Sequence, residues 1–156
     1  MPELGNGLTV PKVGLGTAPI AGLYHTISDE QAVATVEFAL ENGVNFFDTA
    51  PHYGAGLAEE RLGLALRGVP RESYVIETKV GRLITADKQR VYDYSPSGIQ
   101  QSLEASLTRL GVDYVDSLLI HDPDLYFENF NEMITLALPK MLELREAGVV
   151  KTIGLG

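Results

Sequence analysis

Three short apolar runs end in an ionisable residue: Phe46-Phe47-Asp48, Glu77-Thr78-Lys79 and Leu119-Ile120-His121. A carboxylate, an ammonium and an imidazole brought to one place could hold and move a proton. Tyr53, five residues past Asp48 in the loop Thr49-Ala50-Pro51-His52-Tyr53-Gly54, adds a phenol. A free phenol is a poor acid–base group at neutral pH, but a lysine cation within ~4–6 Å stabilises the phenolate. Lys79 can supply that cation, Asp48 can hold the ammonium, and His121 can donate a hydrogen bond to a substrate oxygen. A lysine closing a buried strand also needs a partner for its charge, and Asp48 is the natural one. Taken singly, each such residue is most simply a polar strand end, and Tyr53 a packed loop tyrosine. Three in succession, after runs apolar enough to be buried, favour the functional reading.

That chemistry requires elements that bring the three ends to one face, and the glycine punctuation of the chain supplies them. Ser28-Asp29-Glu30-Gln31 has the form of a capping box and opens a helix with Val33, Val36 and Leu40 on one side, closed by Asn42-Gly43. Val44 to Asp48 follows as a strand, then a helix near Leu57 to Arg67 stopped by Gly68, then the strand Tyr74 to Lys79. Ser95-Pro96 caps a helix carrying Ile99, Leu103, Leu107 and Leu110 that ends at Gly111. Tyr114 to Ile120 reads as a buried strand. A last helix over about Asn131 to Ala147, with Ile134, Leu138, Met141 and Leu142 on its apolar side and a kink expected at Pro139, leads into Val149 to Leu155. With an early strand around Val13 to Thr17, the order is strand and helix in strict alternation, which predicts about five parallel strands joined by four crossover helices. Two architectures fit this α/β pattern: an open doubly wound sheet, or part of an eight-stranded α/β barrel. In either one, all strands point the same way, so Asp48, Lys79 and His121 share the face where such folds place their chemistry. No linker divides the chain, which reads as a single domain over residues 1–156.

Composition narrows the function further. The 156 residues are 45% hydrophobic and 21% charged, the makeup of a folded globular domain. Without cysteine there is no disulfide or thiolate metal site. A net charge of −9 disfavours nucleic acid and anionic membrane surfaces as partners. Met1 to Gly7 has no secretory leader character, and no stretch approaches the roughly 18 apolar residues of a membrane span, so a cytoplasmic location is expected. Gly14-Leu15-Gly16 begins like a dinucleotide fingerprint, but Pro19 stands where the third glycine belongs. His121-Asp122-Pro123-Asp124 with His52 could be drawn as an oxygen and nitrogen metal site. The His-x-His pair expected at the end of a first strand in barrel hydrolases is absent from Val13 to Thr17, so no metal is assigned. His25 and Arg82 stand in no distinguishing context.

At these same residues the sequence resembles the aldo/keto reductase family. The matching segments are Val13-Gly14-Leu15-Gly16-Thr17, Phe47-Asp48-Thr49-Ala50 with Tyr53-Gly54, Glu59-Glu60-Arg61-Leu62-Gly63, Thr78-Lys79, Ser106-Leu107 with Arg109-Leu110, and Ile120-His121. In this order and spacing they span almost the whole chain. The resemblance implies a TIM-type (β/α)8 barrel and interconversion of carbonyls and alcohols with NADP or NAD. It makes Tyr53 the general acid, Lys79 the group that tunes it, Asp48 the partner of Lys79 and His121 the residue orienting the carbonyl. Gly16, Thr17 and Asp48 are placed beside the cofactor. A narrower similarity, carried by Thr78-Lys79-Val80-Gly81-Arg82, Tyr92-Asp93-Tyr94-Ser95 and His121-Asp122-Pro123-Asp124, is to the branch with aldose 1-dehydrogenases and pyridoxal dehydrogenases. The family resemblance implies an aldehyde, ketone or sugar substrate, the branch points to oxidation of a sugar's anomeric carbon or of a pyridoxine-type alcohol, and Gly81 to Ser95 is expected to be a long loop over the site.

About five of the eight strands are present, and in relatives the residues beyond the fifth strand hold the nicotinamide amide and the pyrophosphate. The expectation is an incomplete barrel: a truncated chain with little or no activity alone, prone to self-association through its open edges at Val13 to Thr17 and Val149 to Leu155. A metal-dependent barrel hydrolase and a non-catalytic half-barrel assembly module are the competing readings.

Overall fold

A computed structural model describes Glu3 and residues 7–124 and 130–156. The remainder of the 1–156 domain span lies outside the described residues. Five parallel strands form one sheet in the order β1 (Leu15–Gly16), β2 (Phe46–Asp48), β3 (Val75–Val80), β6 (Val115–Ile120) and β7 (Val150–Leu155). Between them run α1 (Asp29–Glu41), α2 (Leu57–Ala65), α3 (Pro96–Leu110) and α4 (Phe130–Glu146). A separate antiparallel hairpin, β4 (Arg82–Ile84) with β5 (Arg90–Tyr92), leaves the end of β3.

The strands add to the sheet in the order of the sequence, and α1 packs on α2, α2 on α3, and α3 on α4. All four helices therefore follow one another around one face. A doubly wound sheet reverses its strand order and covers both faces, so the arrangement is that of an open arc of a barrel.

Helix limits follow local chemistry. Ser28 Oγ accepts from the Gln31 N–H while Gln31 Oε1 accepts from the Ser28 N–H, the reciprocal cap that opens α1. Ser95 Oγ accepts from the Gly98 N–H with Pro96 at the first helical position of α3. Strand alternation then divides the residues between two faces. Phe47, Ile76, Val80, Leu118 and Ile120 are buried toward the helices, where they meet Val36, Leu62, Ile99, Leu103 and Met141. Asp48 lies opposite Glu77 in register, and Lys79 opposite Leu119, so these residues share the inner face.

The structure corrects several expectations. Gly81 to Ser95 is largely a β-hairpin and not a loop; Lys88 turns it with a left-handed φ of +63°, and the Thr85 N–H bonds to Gln89 O at 2.9 Å. The first strand is shorter than Val13 to Thr17, because Val13 is exposed and Gly14 is seated against the Phe46 ring. α4 continues through Pro139, and its buried side is Met133, Ala137, Met141 and Leu144. Ile134 and Leu138 sit one step around, lining a groove against β7. No helix among the described residues is long and apolar enough to cross a membrane.

Candidate active site

Lys79 stands on the inner face near the end of β3, 6% exposed, with an acceptor for each of its three N–H groups. Its Nζ is paired with Asp48 Oδ1, bonds to Thr49 O at 3.0 Å, and lies 3.2 Å from the Tyr53 hydroxyl oxygen. The phenol oxygen thus accepts from the ammonium, which leaves its own O–H free to point at a third group. Charge building on that oxygen as the proton leaves is met by a cation held in place.

His121 follows β6 on the same face. Its ring meets Tyr53 edge-on, with centroids 5.9 Å apart and planes at 90°. His52 packs against His121 at 5.8 Å and against Tyr92 of the hairpin at 6.2 Å. Burial, then the cations Arg82 and Lys79 and then His52, push His121 down to about 3. Burial, followed by Arg82 and Arg90, pushes His52 down to about 4. Both imidazoles are therefore neutral at physiological pH, and a neutral imidazole has one N–H to donate.

The backbone around these groups is stitched across strands. His121 N–H donates to Val80 O at 3.0 Å, Thr49 N–H to Glu77 O at 2.9 Å, and Thr17 N–H to Asp48 O at 2.9 Å. Outside the sheet, the fully buried Glu59 of α2 accepts from Thr78 Oγ1 and from Arg109 Nε, each at 2.7 Å. Thr78 precedes Lys79, so this carboxylate fixes the strand that delivers the ammonium. Arg61 similarly ties the loop after β1 through Ile20 O at 2.5 Å and Ile27 O at 3.0 Å.

Asp48, Tyr53, Lys79 and His121 are thus brought together as a cluster. Gly16 ends β1 next to Asp48; it is exposed, and a Cβ there would meet no atom within 4 Å. Thr17 is buried, with its Oγ1 turned into the strand end to donate to Asp48 O at 2.9 Å. What this strand end offers a bound group is consequently the open space over Gly16 beside the partly exposed Asp48 carboxylate, while Thr17, its N–H and hydroxyl both bonded to Asp48 O, fixes that strand end from within. Among the described residues no three His, Cys, Asp or Glu side chains converge as metal donors, so the hydrolase alternative finds no ligand set at His52, His121, Asp122 and Asp124.

Sequence reasoning passed over Arg82, which the structure places in the site: it opens β4, pairs with Asp122, and lies 5.4 Å from the Tyr92 ring centroid. The available signal was its position three residues after Lys79, where a strand leaving the site must turn. In the sequence Asp122 enters as a metal-ligand candidate and, like Arg82, as part of a segment carrying the narrower resemblance, with no role of its own.

Comparison with known proteins agrees with this geometry. The aldo/keto reductase family model matches residues 12–156. A D-threo-aldose 1-dehydrogenase from a Pseudomonas species is 37% identical over 96% of this chain and 51% of its own length. A pyridoxal 4-dehydrogenase from Microbacterium luteolum is 36% identical over 96% of this chain and 53% of its own. The solved structure of an aldo/keto reductase from Klebsiella pneumoniae in complex with NADP and acetate superposes with a TM-score of 0.75 at 28% identity, covering 97% of this chain and 47% of that one. The chain spans about half the length of the curated relatives it matches. With a helix-clad arc of parallel strands, an ammonium shared by a carboxylate and a phenol at the strand ends, and a family match over nearly its full length, the chain belongs to the aldo/keto reductase family, an oxidoreductase family built on the TIM-type barrel.

Proposed function

We propose that this chain provides the acid–base half of an NAD(P)-linked oxidoreductase that interconverts carbonyls and alcohols, with aldoses or pyridoxal-type compounds as substrates. The observation that carries this reading is the Lys79 ammonium shared between Asp48 and the Tyr53 oxygen. When bound, the nicotinamide cofactor supplies or accepts the hydride. Gly16, Thr17 and Asp48 would hold part of it, a role supported by the unobstructed space over Gly16 beside Asp48. NADP is bound in the Klebsiella pneumoniae relative, and the names of the two dehydrogenase relatives support the substrate classes.

In carbonyl reduction Tyr53 gives its proton to the substrate oxygen. Lys79 steadies the charge left on the phenol, and Asp48 keeps the ammonium where Tyr53 needs it. His121, neutral and buried against Tyr53, donates to the same oxygen and orients it. In alcohol oxidation the proton runs the other way, from the substrate hydroxyl to Tyr53.

Turnover on this proposal needs the part of the barrel that relatives carry in their other half, and the 156-residue chain alone turns over little. The test is to fuse the chain to the corresponding second half of the D-threo-aldose 1-dehydrogenase relative. Reduction of NAD+ and NADP+ is then followed with aldoses, pyridoxal and simple alcohols, with and without a chelator. Chelator-insensitive oxidation of one of these classes supports the reading. Activity that requires Zn²⁺ or Mn²⁺, or none with any substrate in a folded fusion, contradicts it.

A further inference from the structure

Asp122 is one of three residues other than glycine among those described with a left-handed backbone, at φ +46°, and it follows His121 directly. Aspartate tolerates that conformation at a cost, and such a cost at a site calls for a reason. Both ends of the residue are held. Its N–H donates to Gly156 O at 2.9 Å, and its carboxylate is paired with Arg82 Nη1. Arg82 is itself held: Gly81 before it has φ +91°, and a Cβ on Gly81 would stand 2.1 Å from the Tyr94 ring, so only glycine lets the chain turn there. The Tyr94 hydroxyl reaches the His121 carbonyl oxygen at 3.4 Å. The hairpin thus bears on His121 twice, at its backbone through Tyr94 and beside its ring through Arg82 and Asp122.

The restrained carboxylate has a specific address. Asp122 Oδ2 lies 3.7 Å from His121 Nε2, while His121 Nδ1 is buried with no hydrogen-bond partner among the described residues. A neutral imidazole must place its single proton on one of these nitrogens. On Nδ1 it would be a buried donor without an acceptor, and the Nε2 lone pair would face an anion. On Nε2 it faces the carboxylate, and the lone pair is left at Nδ1, where no donor or acceptor among the described residues meets it. At 3.7 Å the carboxylate is too far to consume the N–H in a hydrogen bond, so that proton is biased toward Nε2 yet still available. We propose that Asp122, held by Arg82, is a positioning residue that fixes the Nε2–H tautomer of His121 and so supplies the donor that meets a substrate oxygen. The last clause rests on the proposed function; the tautomer itself does not.

The test uses the 156-residue chain with ¹⁵N-labelled histidine, without cofactor or substrate, at neutral pH. Two-bond ¹H–¹⁵N correlation spectra distinguish pyrrole-type from pyridine-type nitrogens and report the tautomer of His121. Asp122→Asn keeps the side-chain size and tolerates the left-handed backbone, but offers a donor as readily as an acceptor. Arg82→Met releases the carboxylate, and Arg82→Lys keeps the pair. The wild type is expected to show Nε2–H alone, and Arg82→Lys the same. Asp122→Asn and Arg82→Met are expected to shift the tautomer ratio toward Nδ1–H by about tenfold, the change that one pK unit of lost electrostatic preference produces. An Nδ1–H tautomer in the wild type, or an unchanged Nε2–H signal in both Asp122→Asn and Arg82→Met with backbone amide dispersion intact, overturns the proposal. Because the spectra need no turnover, an inactive fusion protein would sink the oxidoreductase reading and leave this result standing.

Discussion

Lys79 keeps a charge in a buried position because Asp48, Thr49 and Tyr53 between them accept all of its N–H groups. The two partners of the ion pair are not equally dispensable. Asp48→Ala leaves an ammonium inside without its counter-ion and should cost about 1–3 kcal/mol, whereas Lys79→Met leaves a half-exposed carboxylate that water can reach and should cost under ~1 kcal/mol. Urea denaturation of the two variants checks the order. His121 makes a pH prediction. Its folded value, about 3, lies below the ordinary 6.5, so between those limits the unfolded chain binds the extra proton. The stabilisation is complete above pH 6.5 and is lost as pH falls, by about 2 kcal/mol at pH 5 from this residue alone. His121→Gln should flatten that part of the stability–pH curve; an unchanged slope would contradict the burial of a neutral imidazole. At this scale the sequence was informative about Asp48, Tyr53, Lys79 and His121 because each follows an apolar run or a short loop tied to one. It named Arg82 and Asp122 only within longer matching segments and assigned neither a place beside His121, because their meaning lies in an ion pair between segments 40 residues apart and in a backbone angle.

Elements were legible where periodicity and caps agreed. The capping box of α1, the Ser95-Pro96 start of α3 and the glycine stops put four helices within a few residues of their observed limits. Ser28→Ala should lower stability by about 1 kcal/mol, measurable by thermal or urea unfolding, since it removes one half of that reciprocal cap. The hairpin escaped because three-residue strands carry too little alternation to register, and its turn depends on Lys88 in a left-handed conformation. The apolar side of α4 was misplaced by one position: Ile134 and Leu138 continue the periodic pattern, but tertiary packing turns Met133 and Ala137 inward. Gly81→Ala puts a methyl into the Tyr94 ring at a positive φ, so it should destabilise by about 2–4 kcal/mol and displace the hairpin from Arg82 onward. Proteolysis within residues 82–95 should then outpace that of the wild type.

The choice between a doubly wound sheet and a barrel arc could not be made from periodicity, because both alternate strand and helix; the sequential strand order and the helix-to-helix packing decide it. The arc leaves β1 and β7 as edges, with Leu155 about half exposed beside the groove of Ile134, Leu138 and Ile153. Self-association is expected through these edges, opposed by the net charge of −9. Sedimentation velocity should show association that grows with salt as the repulsion is screened, and Leu155→Lys should weaken it. Association that weakens with salt would contradict an apolar edge contact. The proposed chemistry turns on the proton held at Tyr53, and the measurement that bears on it is the rate of NAD(P)H-dependent carbonyl reduction by the fusion protein, compared with its Tyr53→Phe variant. A fall of about 10²–10⁴-fold with the fold intact is expected. A Tyr53→Phe fusion that reduces the carbonyl as fast as its parent would contradict it.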